Sequence, residues 1–143
     1  MRRHAIPPEP DFLIQLRQTQ HAVRTLLDAE LAATGLTTPQ YAALAALDRE
    51  GELSASDLAR EFGLTAQTMN VLVKGLEALG LLRRVSHPDH GRILLASLTP
   101  AGRRALKRGR ALALAVQDAV LSDLTSADRT TLMRCLKAIE QTA

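Results

Sequence analysis

A single cysteine and very few aromatic side chains set the first limits on what this sequence can form. Cys135 is the only cysteine among 143 residues, which excludes an internal disulfide bond and any zinc site built on several cysteines. We expect Cys135 to be a small buried apolar residue, with a redox switch as the less favoured alternative. There is no tryptophan, one tyrosine and two phenylalanines. Any cavity for a small molecule would therefore have mainly aliphatic walls.

The sequence also lacks a long hydrophobic run. Hydrophobic residues make up 46% of the chain, but polar residues interrupt them, so no stretch approaches the ~18 apolar residues that a membrane span needs. The first residues carry Arg2 and Arg3 and then lead into Pro7, Pro8 and Pro10, which does not resemble a secretory signal. We therefore expect a soluble, cytoplasmic protein with no membrane partner.

No pattern that supports catalysis is visible either. The sequence has no glycine-rich phosphate loop and no convincing serine, histidine and aspartate set, so we expect neither an enzyme nor a cofactor. His87, Asp89 and His90 are residue types that bind metals, but a turn offers no evident fourth ligand, and we predict no metal site there. Contact with phosphates is the alternative role for the two histidines.

Positive charge is concentrated in one part of the chain. The formal net charge is only +3, yet the segment 83–110 contains eight basic residues and one acid, Asp89. A concentrated positive field suits a polyanion, because each phosphate that it neutralises releases condensed counterions. Taken alone, the cluster is equally compatible with a basic face that only keeps a helix solvated.

The chain is predicted to begin with an arm and two helices. Residues 1–10 are rich in proline and lack periodicity, which predicts a flexible arm. Leucine and valine recur at helical spacing over residues 11–33, and Gly35 follows as a stop, so this segment is predicted to be a long amphipathic helix. Thr38 and Pro39 resemble a helix cap followed by proline at the first helical position. The second helix is predicted to end near residue 49.

Two helices joined by a tight turn are predicted next. Ser54 and Asp57 have the spacing of a capping box, and Gly63 can adopt the left-handed conformation that closes a helix. Thr65 then begins a helix that Gly80 ends. Its inward stripe is predicted to consist of Met69, Leu72, Val73, Leu76 and Leu79, and its outer face of Gln67, Asn70, Val71 and Lys74. This arrangement is typical of a helix-turn-helix.

A β-hairpin, or wing, is predicted after the helix-turn-helix. Residues 81–86 and 92–99 contain extended-looking apolar stretches, and the proline, aspartate and glycine of residues 87–91 are turn formers. The predicted fold is thus mainly α with a small β-hairpin wing.

Two further helices are predicted to complete the chain. Thr99 and Pro100 begin a long helix that runs to about residue 121, and Thr125 with Asp128 begins the last one. One face of this last helix is predicted to carry Leu132, Cys135, Leu136 and Ile139. Residues 11–143 are expected to form one domain.

The sequence resembles the multiple-antibiotic-resistance regulator (MarR) family over about residues 38–108. The similar stretches are LSASDLAREFGLTAQTMNVLVKGLEALGLLRR and, after it, GRILLASLTPAGRRAL. Their spacing is specific for the family, whereas any one of these pieces alone would be weak evidence. The resemblance implies a winged-helix homodimer with 38–108 as its DNA-binding core. It further implies that the helices of 11–33 and 100–142 interlock between subunits, and that small, frequently anionic or phenolic ligands displace the dimer from pseudo-palindromic DNA.

One departure from the family pattern occurs in the wing. Family members commonly show Asp-x-Arg ahead of the second strand, whereas this turn reads Asp89-His90-Gly91-Arg92. Counted back from the second strand, Arg92 falls at or beside the arginine that family members insert into the minor groove. Asp89 lies one place further off. The resemblance therefore supports the role of the arginine better than that of the aspartate.

The outer face of the helix after Thr65 is predicted to read bases. An α-helix fits the major groove of B-DNA, where Gln and Asn bond adenine edges and a small apolar side chain touches a thymine methyl group. Gln67, Asn70 and Val71 are placed for these contacts. The alternative is an ordinary solvated helix face.

Further residues are predicted to contact the DNA backbone and the minor groove. Phosphate contacts are expected from the same helix and from the base of the wing, namely from Thr65, Thr68, Lys74, Arg83 and Arg84. Arg92 at the wing is expected to enter a narrow A·T-rich minor groove, whose negative potential attracts a guanidinium. An arginine that is merely exposed on the hairpin is the alternative.

Together these patterns predict a sequence-specific DNA-binding transcriptional regulator, a ligand-responsive repressor that binds double-stranded DNA as a homodimer. The alternative is a winged-helix module that dimerises or binds another protein without reading DNA. A small-molecule effector is expected at the junction of the dimer and DNA-binding regions. His21 could line that pocket, although a structural histidine is the favoured interpretation.

Overall fold

The structure, a computed structural model, describes residues 9–143, with side chains from residue 11 onward. The described chain folds into six α-helices and three short strands, with a 3-10 turn at Ala32–Thr34 after the first helix. The elements are α1 (Glu9–Leu31), α2 (Thr38–Glu50), β1 (Leu53–Ser54), α3 (Ala55–Phe62), α4 (Ala66–Ala78), β2 (Leu82–Ser86), β3 (Leu94–Leu98), α5 (Pro100–Val120) and α6 (Ser126–Thr142). The mainly helical winged fold is thus confirmed. Of the predicted arm, residues 1–8 lie outside the described residues, whereas Glu9 and Pro10 begin α1.

Side chains that accept from free amides begin most of the helices, as predicted. Ser54 and Thr125 form reciprocal capping boxes with Asp57 and Asp128, and Thr65 and Thr99 cap α4 and α5 through their hydroxyls. These bonds satisfy amide groups that have no partner within the helix. Each contact also lowers the pKa of its aspartate: Ser54 and Thr125 donate through side chain and backbone to Asp57 and Asp128.

The predicted cap of α2 is wrong by one residue. Thr37, not Thr38, is the cap: its hydroxyl accepts from the Gln40 amide at 3.3 Å, and its own amide donates to the Gln40 side chain at 3.0 Å. Both threonines precede Pro39, so the sequence pattern fits either position. The Thr38 amide is instead taken by Asp28 of α1, at 2.9 Å.

A core of aliphatic side chains fixes the orientation of the helix-turn-helix. Leu58 of α3 is fully buried with Met69, Val73 and Leu76 of α4. Leu72 packs on this core only partly, and the predicted inward position of Leu79 is wrong, because 58% of this residue is exposed. Leu79 is the residue at which α4 ends, so it no longer follows the helical period.

The wing belongs to a three-stranded antiparallel sheet in the order β1-β3-β2. The two strands of the wing align Leu82 with Leu98 and Ser86 with Leu94. β1 adds Leu53 opposite Ala96 and was not predicted, because two residues leave no periodicity in the sequence. The second wing strand begins at Leu94, not at residue 92 as predicted.

A threonine joins α4, the wing and α5. The Thr99 hydroxyl donates to the Gly80 carbonyl at 2.6 Å and accepts from the Gly102 amide at 3.0 Å, while the Thr99 amide donates to the Leu81 carbonyl at 3.2 Å. Gly80 has a φ of 71°, in the left-handed region that glycine adopts without strain. The end of α4 and the start of α5 are thereby held together at the base of the wing.

Several apolar side chains of α1, α5 and α6 have no cover within the chain. α6 contains no buried residue, and Leu132, Leu136 and Ile139 on its apolar face are each at least 37% exposed. Phe12 and Leu13 of α1 are also exposed. In the described part of the chain, no helix has the length and apolar character needed to cross a bilayer.

The expectation that Cys135 is buried is wrong for the single chain, in which this cysteine is exposed. It lies on the same helix, α6, whose apolar face lacks a neighbour. The physical reason is that the sequence pattern reports an apolar helix face, and it does not say whether the same chain or another one covers that face.

Candidate nucleic-acid interface

The outer face of α4 presents amide, hydroxyl and aliphatic groups to solvent. Gln67, Asn70, Val71 and Lys74 are all exposed, because Met69, Val73 and Leu76 on the opposite face are buried. Val71 is 69% exposed. An apolar side chain beside two amides on a solvent-exposed helix can contact a thymine methyl group while the amides bond to base edges. The face therefore has the chemistry that major-groove recognition requires.

The first turn of α4 carries two threonines in contact. The Thr65 hydroxyl accepts from the Thr68 amide at 3.1 Å and donates to the Thr68 hydroxyl at 2.8 Å. This cap satisfies one amide of the turn, and both side chains remain exposed. Amides at a helix N-terminus favour anions, so this end of α4 suits a phosphate.

The tip of the wing is an ordered turn that carries Arg92. His87 donates its amide to the Ile93 carbonyl at 2.7 Å, and its Nδ1 accepts from the amides of Asp89 and His90 at 3.0 and 3.2 Å. These bonds extend the turn by two residues beyond the predicted one, which is why the second strand starts at Leu94. Arg92 consequently lies on the turn and is exposed.

A cleft of about 570 Å³ separates the wing from α3 and α4. It brings together Asn70, Arg84 and Arg92, three residues predicted from the sequence, with His87, for which phosphate contact was the alternative role. The other polar side chains that line it were not predicted to contact DNA, namely Ser54, Ser56, Asp57 and Arg60. The groove thus lies between the exposed polar face of α4 and an arginine-tipped hairpin, an arrangement that can accommodate a sugar-phosphate strand.

Arg60 was missed because the sequence pattern around it only indicated a short helix. It lies on α3, contacts Asp57 in an ion pair, and its side chain is 77% exposed. Because Arg60 is largely exposed, this ion pair is weak, and Asp57 also accepts from the Ser54 hydroxyl. The signal that could have found Arg60 is a basic residue one turn after Asp57 of the capping box, in the helix that precedes α4.

The two arginines at the base of the wing have different surroundings. Arg84 donates to Glu77 of α4 from Nε at 3.0 Å and from an η nitrogen at 2.7 Å, and its side chain is only 16% exposed. This hydrogen bonding lowers the pKa of Glu77. Arg83 points to the other face of the strand and is exposed. Among the described residues, no acid pairs with Arg83.

The basic residues of α5 divide into two groups. Arg103 and Arg110 both approach Asp48 of α2, at 3.8 and 3.0 Å. Arg104, Lys107 and Arg108 are exposed. Part of the charge cluster in the sequence thus connects α5 to α2. The remaining part leaves an exposed positive surface on α5.

Among residues 11–143, whose side chains the structure describes, no three histidine, cysteine, aspartate or glutamate side chains come close enough together to hold a metal ion. The rings of His87 and His90 lie 5.1 Å apart at the wing tip.

A separate cavity of about 460 Å³ lies where α1 meets α2 and the helix-turn-helix. Its wall is mainly apolar, and Arg24 is the only charged side chain that contributes to it. Gln20 and Thr38 are the other polar contributors, whereas His21 is not among the lining residues. The remaining wall consists of Val23, Leu27, Pro39, Ala42, Phe62, Leu64, Met69 and Leu72.

The chain is similar to known transcriptional regulators. A model of the MarR family matches residues 34–93. The HTH-type transcriptional repressor Rv2887 of Mycobacterium tuberculosis is 34% identical over 117 residues, which cover 82% of this chain and 84% of that protein. YxaD of Bacillus subtilis, an uncharacterized HTH-type transcriptional regulator, is 34% identical over 100 residues, which cover 68% of this chain and 70% of that protein.

Solved structures share the fold along nearly the whole chain. A probable transcriptional regulator from Pseudomonas aeruginosa aligns with a TM-score of 0.81 and 33% identity, covering 92% of this chain and 97% of that one. The MarR family protein Rv2887 of M. tuberculosis, in complex with salicylic acid, aligns with a TM-score of 0.73 and 31% identity, covering 94% and 98%.

Proposed function

Because this chain belongs to the MarR family of transcriptional regulators, we propose that it represses transcription as a homodimer on a pseudo-palindromic operator, from which a small molecule releases it. It is a DNA-binding regulator and not an enzyme. One observation carries the proposal: the exposed amide-bearing face of α4 and the arginine-tipped wing border the same cleft. We place the protein in the cytoplasm, where bacterial regulators meet their DNA.

In this proposal α4 is the recognition helix. Gln67, Asn70 and Val71 read base edges in the major groove, because they form its exposed outer face. Arg92 enters the adjacent minor groove. Phosphates are bound by Thr65, Thr68, Lys74 and Arg83, while Arg84, engaged by Glu77, orients the wing against the recognition helix.

The cavity beside α1 is the proposed effector site. Its apolar wall and single arginine suit a small organic anion, and a volume of about 460 Å³ lies in the range of ligand pockets. The relative whose structure contains salicylic acid supports this class of ligand. A ligand there would shift the dimer between arrangements that fit and do not fit the spacing of two half-sites.

Salt-dependent binding to a defined operator tests the proposal. The chain is titrated onto DNA from upstream of its own gene and onto a scrambled duplex of equal length, at several salt concentrations. With six or more phosphate contacts per dimer, the affinity should fall by about 10³ between 50 and 200 mM salt. Equal affinity for the two duplexes at every salt concentration, or no binding at low salt, would contradict it.

Two substitutions separate the two modes of readout. Arg92→Ala should weaken binding to sites with A·T-rich flanks more than to G·C-rich ones, because only the former have a narrow minor groove. Asn70→Ala should cost about 1–3 kcal/mol at one base pair and relax the sequence choice there. Arg134→Ala is the matched control, since Arg134 is an exposed arginine of α6. A protein-binding module that does not read DNA would respond to none of these changes.

A further inference from the structure

Asp28 connects the dimer helix α1 to the start of the DNA-binding region. One carboxylate oxygen accepts the Thr38 amide at 2.9 Å, ten residues away in the sequence. This amide belongs to the first turn of α2, where donors have no partner within the helix and where the helix dipole favours a negative charge. α1 and α2 are therefore held together by a contact at the end of the effector cavity.

The same carboxylate lies beside the only charged side chain of the cavity wall. Nε of Arg24 is 3.6 Å from the other Asp28 oxygen, one helical turn away. That distance exceeds a normal hydrogen bond, and the two side chains are 49% and 42% exposed. Arg24 is thus only loosely held by Asp28, and a better acceptor can take it.

Thr38 faces both the carboxylate and the cavity. Its hydroxyl is buried and forms no hydrogen bond of normal geometry, although it lies near Asp28. Contacts with the side chain and the amide of Thr38, together with the charge of Arg24, lower the pKa of Asp28, so this group is ionised in the folded protein at neutral pH. Arg24 and Thr38 line the cavity, whereas Asp28 lines the neighbouring groove on its outer side.

We propose that Asp28 competes with carboxylate effectors for Arg24. A ligand with an apolar body and one carboxylate enters the cavity and binds Arg24 in place of Asp28. The negative charge of the ligand then repels the Asp28 carboxylate, which weakens its bond with the Thr38 amide and so the contact between α1 and α2. Loss of the contact between Asp28 and the Thr38 amide is the step that couples ligand binding to the DNA-binding region. The inference rests on the proposed function, because it assigns the ligand class and the coupling contact of that effector site.

Calorimetric titration of the full chain with salicylate tests the competition. Asp28→Asn keeps an oxygen for the Thr38 amide but removes the negative charge beside Arg24, so it should bind salicylate about fivefold more tightly than the wild type. Salicylamide, which is uncharged, should bind both proteins equally. Glu30→Gln, an exposed acid on the same helix, is the matched control and should change neither affinity. Arg24→Gln should weaken salicylate binding about tenfold.

DNA release tests the coupling. Salicylate should raise the operator Kd of the wild type, whereas Asp28→Ala, which removes the contact itself, should bind DNA with a Kd that salicylate hardly changes. An unchanged or weaker salicylate affinity in Asp28→Asn would overturn the inference, as would a salicylate response retained in Asp28→Ala or no salicylate binding to any variant. If the wild type without salicylate prefers its operator over the scrambled duplex, the DNA-binding part of the proposed function stands whichever of these results is found.

Discussion

Two adjacent arginines of the wing have different roles because their surroundings differ. Arg83 is exposed, whereas Arg84 is largely buried against Glu77, with two donors on one carboxylate oxygen. A guanidinium that is already paired neutralises less of a phosphate charge. The sequence alone does not distinguish the two positions, because Glu77, which pairs with Arg84 and not with Arg83, lies in another element, α4.

A double-mutant cycle measures the role of Arg84. Glu77→Gln, Arg84→Gln and the double variant should reveal a coupling energy of about 1 kcal/mol in urea unfolding at neutral pH. The folded-state pKa of Glu77 is lowered, so this contribution is fully present above the ordinary glutamate pKa of 4.5 and is lost as the pH falls through the lowered value. A coupling that stays constant down to strong acid would contradict the assignment.

The complementary prediction concerns Arg83. Arg83→Gln should leave stability unchanged within about 0.5 kcal/mol. It should also reduce the slope of log affinity against log salt by about one for each phosphate that the arginine neutralised. The measurement is DNA titration at several salt concentrations, with Arg134→Gln as control. An unaltered slope together with a large drop in stability would assign Arg83 a structural role instead.

At the scale of the element, local signals were predictable and contacts between distant segments were not. The caps Ser54, Thr65, Thr99 and Thr125 follow from hydrogen bonds within four residues, so the sequence specifies them. β1 exists only because Leu53 reaches Ala96, more than forty residues away. The cavity beside α1 likewise needs distant segments in place, because its wall runs from Gln20 of α1 to Leu72 of α4, and no local pattern encodes it.

The junction of the wing with α5 yields the prediction at this scale. A Cβ at Gly102 would lie 1.9 Å from the Leu81 carbonyl oxygen, which is backbone and cannot turn aside. Gly102→Ala should therefore destabilise the protein by about 3 kcal/mol or more through overpacking. Gly75 of α4 is the control of opposite sign, since nothing lies within 4 Å of its Cβ position. Gly75→Ala should stabilise by about 0.5–1 kcal/mol.

Thermal unfolding of the two variants at one fixed protein concentration makes this comparison. The concentration is held constant because the apparent stability of a dimer depends on it. Gly102→Ala with wild-type stability would mean that Leu81 and the start of α5 do not approach each other closely.

At the scale of the whole molecule, the single chain is incomplete. The apolar faces of α6 and of the first half of α1 are exposed, and members of the family bind DNA as dimers. Extended apolar surface of this kind marks a protein contact. A second copy of the chain is the cover that the family assigns to it, and Cys135 is expected to become buried there.

Charge placed in this surface should separate the subunits. Ile139→Glu should convert the dimer to a monomer in sedimentation and weaken operator binding on the order of 100-fold or more, because one chain then engages only one half-site. Gln141→Glu, on the polar face of α6, adds the same charge and should leave both properties intact. A dimer that survives Ile139→Glu would place the subunit contact elsewhere.

The end of α4 is fastened to the wing twice, through Glu77 with Arg84 and through the Thr99 hydroxyl on the Gly80 carbonyl. In each subunit the angle between α4 and the wing is therefore set before DNA binds. An inducer can then change the distance between the DNA-binding regions of the two subunits, but not the base sequence that either region prefers. Operators of such a regulator would share their half-site sequences and differ in affinity through the length of the spacer between the two half-sites.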